Sequence, residues 1–159
     1  MIEQMSEKGN LNRAYQKVVS NKGAGEIDRL QVSDLQAYLR KNGVALTSGI
    51  RSGSFQPQPI KGSTIPKSSG KSRLLGVPNV ADRVVQQALL QVLKPLFKPD
   101  FRPYSYGFRP NRNGHQAVNR AQEYINEVNQ YVVNMDLRSF FDEVDHAVLL
   151  ELVYSLENA

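Results

Sequence analysis

The chain has 159 residues, a formal net charge of +5 and no cysteine. Its length allows one domain, or one domain and part of a second, and its 40% hydrophobic content argues against a fully disordered chain. The lack of cysteine excludes a disulfide framework, an all-cysteine zinc site and a thiol nucleophile. No stretch has the length and hydropathy of a signal peptide or a membrane span, so we expect a cytoplasmic protein without membrane contact.

The net charge is unevenly distributed along the sequence. Residues 51–120 contain twelve basic and two acidic side chains, a net charge of +10. Residues 1–50 have a net charge of +2, and residues 121–159 have one of −7. A basic segment of this kind suits a polyanionic partner, although solvated surface charge gives the same count.

Two helices are predicted near the start of the chain. The first begins at Asn10 as its N-cap, followed by apolar residues at helical spacing. A glycine-bearing loop at residues 21–28 separates it from the second, which is predicted over residues 33–42. Ser33 opens this second helix with the spacing of a capping box, and Gly43 is predicted to end it.

The middle of the chain predicts a hairpin and a long helix. Short strands are expected at about 58–66 and 72–77, joined by a turn at residues 68–70. The clearest helix in the sequence follows and closes near Pro95. Its predicted buried face consists of Val80, Val84, Val85, Ala88, Leu89, Val92, Leu93 and Leu96.

The last third alternates helix, strand and helix. A proline- and glycine-rich connector at residues 98–114 leads into a helix at about 114–129. The inward residues of that helix are expected to be Ala117, Val118, Ala121, Tyr124, Ile125 and Val128. Residues 131–137 alternate like a strand, and Asp145 is placed to cap a final helix. The pattern predicts an α+β fold with antiparallel strands and packed helices.

Asp136 is the strongest candidate for chemistry, because it lies late on a predicted strand. A carboxylate there can hold a divalent metal in a fixed position, and Phe140 and Phe141 directly after it can shape a nucleotide pocket. The alternative places both rings in the core and leaves Asp136, Asp142 and Asp145 on the surface or at a helix cap. Capping fully explains Asp145, whereas a charge in an apolar central strand needs a partner or a metal.

The tip of the predicted hairpin brings Lys67, Lys71 and Arg73 close together in sequence. Lysine suits phosphate contact and arginine suits bidentate contact, but a basic hairpin tip is as often only solvated. The Gly-Lys-Ser sequence within it is not a nucleotide-binding phosphate loop, because a strand follows where a helix is required.

The connector at residues 104–110 interleaves aromatic residues with arginines. Its rings offer stacking faces to nucleic-acid bases, while Arg102, Arg109 and Arg112 can contact phosphate or stack on a base. The alternative is a rigid connector whose aromatic residues close the core beneath two helices. Both descriptions can hold in part, with one or two rings buried and the arginines exposed.

Three sequence blocks together resemble a known family. Residues 65–89 (IPKSSGKSRLLGVPNVADRVVQQAL), 104–118 (YSYGFRPNRNGHQAV) and 132–146 (VVNMDLRSFFDEVDH) are similar, in the same order, to the opening blocks of bacterial group II intron reverse transcriptases, also called intron maturases. Residues 22–39 resemble the additional N-terminal block of those enzymes, although the sequence from Ile27 departs from the usual glycine-aspartate pairing.

The resemblance implies the fingers and the start of the palm of a right-hand polymerase, in truncated form. It divides the chain into an N-terminal helical extension at residues 1–58, fingers at 59–128 and an incomplete palm at 129–159. Retron and diversity-generating reverse transcriptases are the nearest enzymatic alternatives. The N-terminal block argues mildly against the retron type.

By the same resemblance, Asp136 matches the first catalytic, metal-binding aspartate, and the carbonyl of Leu137 would be a further metal ligand. Phe141 matches the aromatic gate that rejects a ribose 2′-hydroxyl. Backbone N–H groups around Ser139 and Phe140 would meet the incoming triphosphate.

The cations match two further functions in the family. Lys67 and Arg73 correspond to the residues of the fingers that grip the triphosphate. The residues expected to contact RNA or template are Lys71, Arg102, Arg109 and Arg112.

The implied reaction is two-metal nucleotidyl transfer with Mg²⁺, in which a primer 3′-hydroxyl attacks the α-phosphate of a deoxynucleotide. The implied partners are intron RNA, template RNA, primer DNA and dNTP, and a homodimer stays open. The second aspartate pair of the family, in a Tyr-Ala-Asp-Asp hairpin, does not occur in the sequence. We therefore expect this chain to be inactive alone, as a domesticated fragment, an expression fragment or a truncated product of a mobile element. The alternative from another class is a non-catalytic RNA-binding module in which Asp136 is structural.

Overall fold

The computed structural model describes residues 1–21, 30–66, 70, 72–127, 129, 131–137 and 139–157. Two compact units make up the chain, Met1–Pro95 and Leu96–Ala159. The described helices are α1 (Ile2–Met5), α2 (Lys8–Ser20), α3 (Leu35–Ser52), α4 (Val80–Phe97), α5 (Gly114–Asn126) and α6 (His146–Glu157), and the described strands are β1 (Lys61–Pro66) and β2 (Ser72–Val77). Helices with an antiparallel strand pair agree with the predicted α+β class. The predicted boundaries between fingers and palm remain predictions.

The hydrophobic core of the first unit is built from α1, α2, α3 and α4. Leu35, Val80 and Val84 are fully buried at its centre. The other buried apolar members are Met5, Ala14, Val18, Ile50, Val85 and Ala88. The long helix predicted from apolar spacing is confirmed as α4, which includes Pro95 near its end as expected. Its predicted buried face was partly wrong, because Leu89 and Leu96 are exposed. Removal of these side chains from water is the main force that holds the unit together.

Asn10 does not cap the first long helix, and that prediction was wrong. Helix α2 begins at Lys8 with Glu7 in the N-cap position, so Asn10 lies inside the helix and is buried. Its Nδ2 donates to the carbonyls of Met5 (3.1 Å) and Ala88 (3.0 Å), and its Oδ1 accepts from Nε2 of Gln91 (2.7 Å). The amide therefore joins α1, α2 and α4, and its polar atoms are satisfied as burial requires.

Helix α3 is longer than predicted. The predicted start at Ser33 is wrong, because the helix begins after Asp34 and has no side-chain cap bond. Gly43 lies in its interior rather than at its end, and the helix closes at Gly53, whose φ of 71° is the left-handed conformation favoured at that position. Burial of Ile50 and of neighbouring side chains in the extra turns outweighs the cost of an interior glycine, about 1 kcal/mol.

The predicted hairpin is confirmed, with β1 starting slightly later than expected. The antiparallel register runs from Lys61 opposite Val77 to Pro66 opposite Ser72. The turn residues 68–69 lie outside the described residues, and Gly70 has a φ of 77°.

The hairpin is joined to α4 by a buried carboxylate. Oδ2 of Asp82 accepts from the backbone N–H of Gln58 at 2.8 Å, just before β1. Asn79 Oδ1 accepts from the backbone N–H of Asp82 at 2.8 Å and so caps α4. These bonds fix the base of the hairpin against the start of the helix.

The second unit has well-formed helix starts but no buried residue among those described. Asn113 and Gln116 form a reciprocal capping box at α5. Asp145 Oδ1 accepts from the backbone N–H groups of Ala147 (2.8 Å) and Val148 (3.2 Å), which confirms Asp145 as a helix cap.

Two predictions for this unit were wrong. The apolar face of α5 was expected to be inward, yet Val118 and Ile125 are exposed, and Val128 lies outside the described residues. Residues 131–137 are not a strand in the described structure, although their sequence alternates like one. A strand exists only through hydrogen bonds to a neighbour, and no described segment pairs with residues 131–137.

Candidate functional site

Asp136 lies in the exposed segment at residues 131–137, directly before a tight turn. The carbonyl of Ser139 accepts from the backbone N–H groups of Asp142 (2.9 Å) and Glu143 (3.1 Å), which closes the turn. Ser139 has a φ of 50°, an uncommon conformation for a residue other than glycine. The expected contact of backbone N–H groups near Ser139 with a triphosphate remains a prediction.

Phe140 and Phe141 project from this turn. Their ring centroids are 5.4 Å apart with an interplanar angle of 71°, the edge-to-face arrangement favoured by aromatic pairs. Phe141 is 86% exposed, so it is not a core residue in the described structure. The alternative in which both rings fill a core is therefore not observed, and the predicted gate residue faces solvent.

The donor atoms near Asp136 are of the type that Mg²⁺ prefers, but they are too few to form a site. A carboxylate and the Leu137 carbonyl are hard oxygen donors. Within the described part of the chain, no three histidine, aspartate or glutamate side chains come together as metal ligands. The residues present could therefore supply part of a Mg²⁺ site and need further donors to complete one.

The cations of the predicted hairpin tip lie only partly within the described residues. Lys67, predicted to grip the triphosphate, and Lys71, predicted to contact RNA or template, lie outside them. Arg73 is in β2, where its backbone pairs with Ile65 near the tip of the hairpin. This register places Arg73 on the strand that leads away from the predicted basic turn.

The arginines of the connector are held by the connector itself. Nη1 of Arg109 donates to the carbonyls of Arg102 (2.6 Å) and Ser105 (3.0 Å), and its guanidinium lies 4.9 Å from the ring centroid of Phe101. The guanidinium of Arg112 lies 5.1 Å from the ring centroid of Tyr106. These bonds and cation–π contacts organise residues 101–112 without a core.

A cluster around Arg120 joins the connector to α5, and sequence reasoning missed it. The Arg120 guanidinium lies over the rings of Tyr104 (5.2 Å) and Tyr124 (4.3 Å) and forms an ion pair with Glu123. The two tyrosine rings are edge to face at 6.0 Å. The spacing of Arg120, Glu123 and Tyr124 on one helix was the available signal, whereas the contact with Tyr104 could be seen only in three dimensions.

The cluster shifts the ionisation of its members. The neighbouring Tyr124 side chain, and then the Arg120 guanidinium, lower the pKa of Tyr104 from its ordinary value. The hydrogen bond with Glu123, and then the contact with Tyr124, raise the pKa of Arg120 above its ordinary value. Arg120 therefore stays charged, and Tyr104 ionises more easily than an isolated tyrosine.

A groove of about 670 Å³ in the first unit was also missed. Leu11 and Tyr15 of α2 line one side, and Leu39 of α3 lines the other. Three cations far apart in sequence line it as well, namely Lys8, Arg40 and Arg51. The charge count hides this grouping, because acidic residues in the segment 1–50 offset Lys8 and Arg40, and Arg51 is counted with the next segment.

None of the helices in the described part of the chain has the length and apolar character of a membrane span.

Comparison with known proteins identifies the family. Residues 65–157 match the reverse transcriptase (RNA-dependent DNA polymerase) family. The chain is 37% identical to protein YkfC of Escherichia coli over 149 residues, which cover 90% of the chain and 39% of YkfC.

Two further relatives carry the names of intron proteins. The chain is 31% identical to the group II intron-encoded protein LtrA of Lactococcus lactis over 88% of the chain and 23% of LtrA. It is 33% identical to nuclear intron maturase 1, mitochondrial, of Arabidopsis thaliana over 46% of the chain and 10% of that protein. The chain thus spans well under half the length of these relatives. Since the family match covers more than half of the chain and includes Asp136 and Phe141, the chain belongs to the reverse transcriptase family.

Proposed function

We propose that the chain supplies the fingers and the first part of the palm of an RNA-directed DNA polymerase of the group II intron type, which also binds intron RNA as a maturase. The observation that carries this proposal is the family match over residues 65–157, which includes Asp136, the turn at Ser139 and the exposed Phe141. The similarity to LtrA and to an intron maturase supports the group II intron type.

In the proposed reaction, a primer 3′-hydroxyl attacks the α-phosphate of a dNTP and pyrophosphate leaves. Asp136 and the carbonyl of Leu137 would hold part of a Mg²⁺ site, and the bound metal would supply electrostatic stabilisation of the attacking and leaving oxygens. Phe141 packs against the deoxyribose and excludes a 2′-hydroxyl. Lys67 and Arg73 neutralise the triphosphate, and Lys71, Arg102 and Arg112 contact template or intron RNA.

The chain alone is proposed not to polymerise. Two-metal chemistry needs more carboxylates than Asp136, and no two aspartates are adjacent anywhere in the 159 residues. A second candidate function is a non-catalytic RNA-binding module. The basic segment at residues 51–120 favours it and supports RNA binding under the first proposal as well.

A chimera tests the catalytic proposal. Residues 65–157 replace the matching segment of LtrA, and primer extension on an RNA template is measured with Mg²⁺ and dNTP. We expect the chimera to be active. Asp136→Ala should abolish this activity, and the control variant Glu143→Gln should retain it. Activity that survives Asp136→Ala contradicts the catalytic assignment.

RNA binding by the unaltered chain tests the proposal a second way and does not depend on a folded chimera. We expect affinity for single-stranded RNA that falls steeply with salt, with about 0.7 in log–log slope for each phosphate contact. A chain that does not bind RNA at low salt contradicts both candidate functions.

A further inference from the structure

We propose that Phe108 is a base-stacking side chain for single-stranded RNA. We propose also that Arg109 is a positioning residue, which holds the connector backbone in the conformation that exposes the Phe108 ring. The inference rests on the proposed function, because it assigns a part of RNA recognition to residues 101–112. It gives Arg109 a different role from the direct template contact implied by family resemblance.

Phe108 is fully exposed and has a left-handed backbone conformation. Its φ is 55°, a region that side chains other than glycine, asparagine and aspartate rarely adopt. Glycine would adopt this conformation without strain, so a phenylalanine here needs another reason. An aromatic ring held in solvent at a strained position indicates a binding function for that ring.

The hydrogen bonds of Arg109 show how the connector keeps this form. One guanidinium nitrogen, Nη1, donates to two carbonyls of the connector, at Arg102 and Ser105, while the guanidinium plane lies over Phe101. The carbonyl of Arg109 accepts from the backbone N–H of Arg112 at 3.3 Å, on the far side of Phe108. Arg109 is thus bonded to both arms of the segment that carries Phe108.

The surroundings of Phe108 suit a polyanion whose bases can stack. Residues 98–113 contain four basic side chains and one acidic one. Arg102 is exposed, and its side chain is available for phosphate contact. An exposed ring among cations is the pattern of proteins that bind single strands by stacking bases and contacting the backbone.

The test uses the full chain and a labelled single-stranded RNA of mixed sequence that contains 2-aminopurine, whose fluorescence falls when it stacks. Affinity, its salt dependence and the quenching of 2-aminopurine are measured for each variant. The variants are Phe108→Ala, Phe108→Trp, Arg109→Lys and Arg102→Gln. Circular dichroism checks that each variant folds.

We expect Phe108→Ala to weaken binding roughly ten-fold or more, to abolish the quenching and to leave the salt slope unchanged. Phe108→Trp should retain both affinity and quenching. Arg102→Gln should lower the salt slope by about 0.7, as loss of a phosphate contact does.

Arg109→Lys separates positioning from phosphate contact. Lysine keeps the charge but cannot form the bonds of the planar guanidinium, so we expect loss of quenching with little change in slope. The double variant of Phe108→Ala and Arg109→Lys should bind no more weakly than Phe108→Ala alone. Intact quenching in Arg109→Lys would overturn the positioning role, because lysine could then replace arginine as a direct phosphate contact.

Two other outcomes overturn the role of Phe108, and they can be told apart. If the wild-type chain does not bind RNA, the proposed function fails and this inference fails with it. If RNA binding is intact in Phe108→Ala while the variant self-associates less by size-exclusion chromatography, only this inference fails. In that case the ring covers a protein surface.

Discussion

The two units of the chain differ in what holds them together. Met1–Pro95 has a buried apolar core and buried polar bridges at Asn10 and Asp82. In Leu96–Ala159 no described residue is buried, and the visible interactions are helix caps, cation–π contacts and hydrogen bonds within the connector. The candidate catalytic residue, Asp136, lies in the second unit. The comparison shows that a segment can contain a candidate catalytic residue without burying its own apolar side chains.

The largest expected contrast comes from truncating one leucine in each unit. Leu35 is fully buried, so Leu35→Ala should lower the free energy of unfolding by about 2–5 kcal/mol through lost burial and a cavity. Leu149 in α6 is 47% exposed, and Leu149→Ala should change stability by about 0.5 kcal/mol or less. Urea unfolding followed by circular dichroism measures both. Equal losses would show that the second unit also has a core.

Asp82 and Asp136 extend the comparison of the two units from apolar to charged side chains. Asp82→Ala leaves the backbone N–H of Gln58 without its acceptor, which should cost about 1–3 kcal/mol of stability. Asp82→Asn keeps an acceptor oxygen and should lose less. Asp136→Ala is the matched control in the second unit, because Asp136 is exposed and should change unfolding by about 0.5 kcal/mol or less. A large loss at Asp136 would indicate a structural carboxylate rather than a functional one.

The accuracy of the predictions made from sequence also differs between the two units. Helix α4 could be predicted because most of its apolar face packs within the first unit, although Leu89 and Leu96 stay exposed. The cap at Asp145 could be predicted because capping depends only on neighbouring residues. Asn10 could not be assigned correctly, since the same residue type serves as a helix cap and as a buried bridge between helices. Only its distance from Ala88 in the folded chain decides between the two.

The second unit shows what a periodic sequence pattern cannot predict. Residues 131–137 alternate like a strand, but strand formation requires a partner that the sequence of the segment does not specify. The candidate site has the same limit. Sequence predicts which oxygen atoms Asp136 offers, but it does not show whether other ligands lie within reach. Arg109 was predicted to contact nucleic acid, and only the structure shows Nη1 bonded to connector carbonyls.

A smaller effect is expected at the cap of α6. Asp145→Ala removes the acceptor for the backbone N–H groups of Ala147 and Val148 and should destabilise the helix by about 1 kcal/mol. Hydrogen exchange of α6 amides should become faster, while exchange in α4 is unchanged. Asp145→Asn preserves a capping oxygen and serves as the control. Equal acceleration in both helices would mean that the two units unfold together.

The smallest effect is a shift in the ionisation of Tyr104. Its pKa is lowered by Tyr124 and Arg120, so the folded state favours the phenolate more than the unfolded state does. The resulting stabilisation is fully present above the ordinary tyrosine pKa of about 10 and is lost as pH falls through the lowered value. The cluster therefore adds nothing by this route at neutral pH, and its effect is confined to alkaline conditions.

Ultraviolet absorbance of the phenolate measures this shift. Subtracting the titration of Tyr104→Phe from that of the wild type isolates Tyr104, and its midpoint should lie below the ordinary tyrosine pKa of about 10. Arg120→Gln removes the cation and should move the Tyr104 midpoint upward toward that ordinary value. A wild-type midpoint at the ordinary value would mean that the connector does not rest on α5 in solution. The connector would then have no fixed contact with α5, so the hydrogen bonds of Arg109 alone would have to hold the backbone conformation that exposes Phe108.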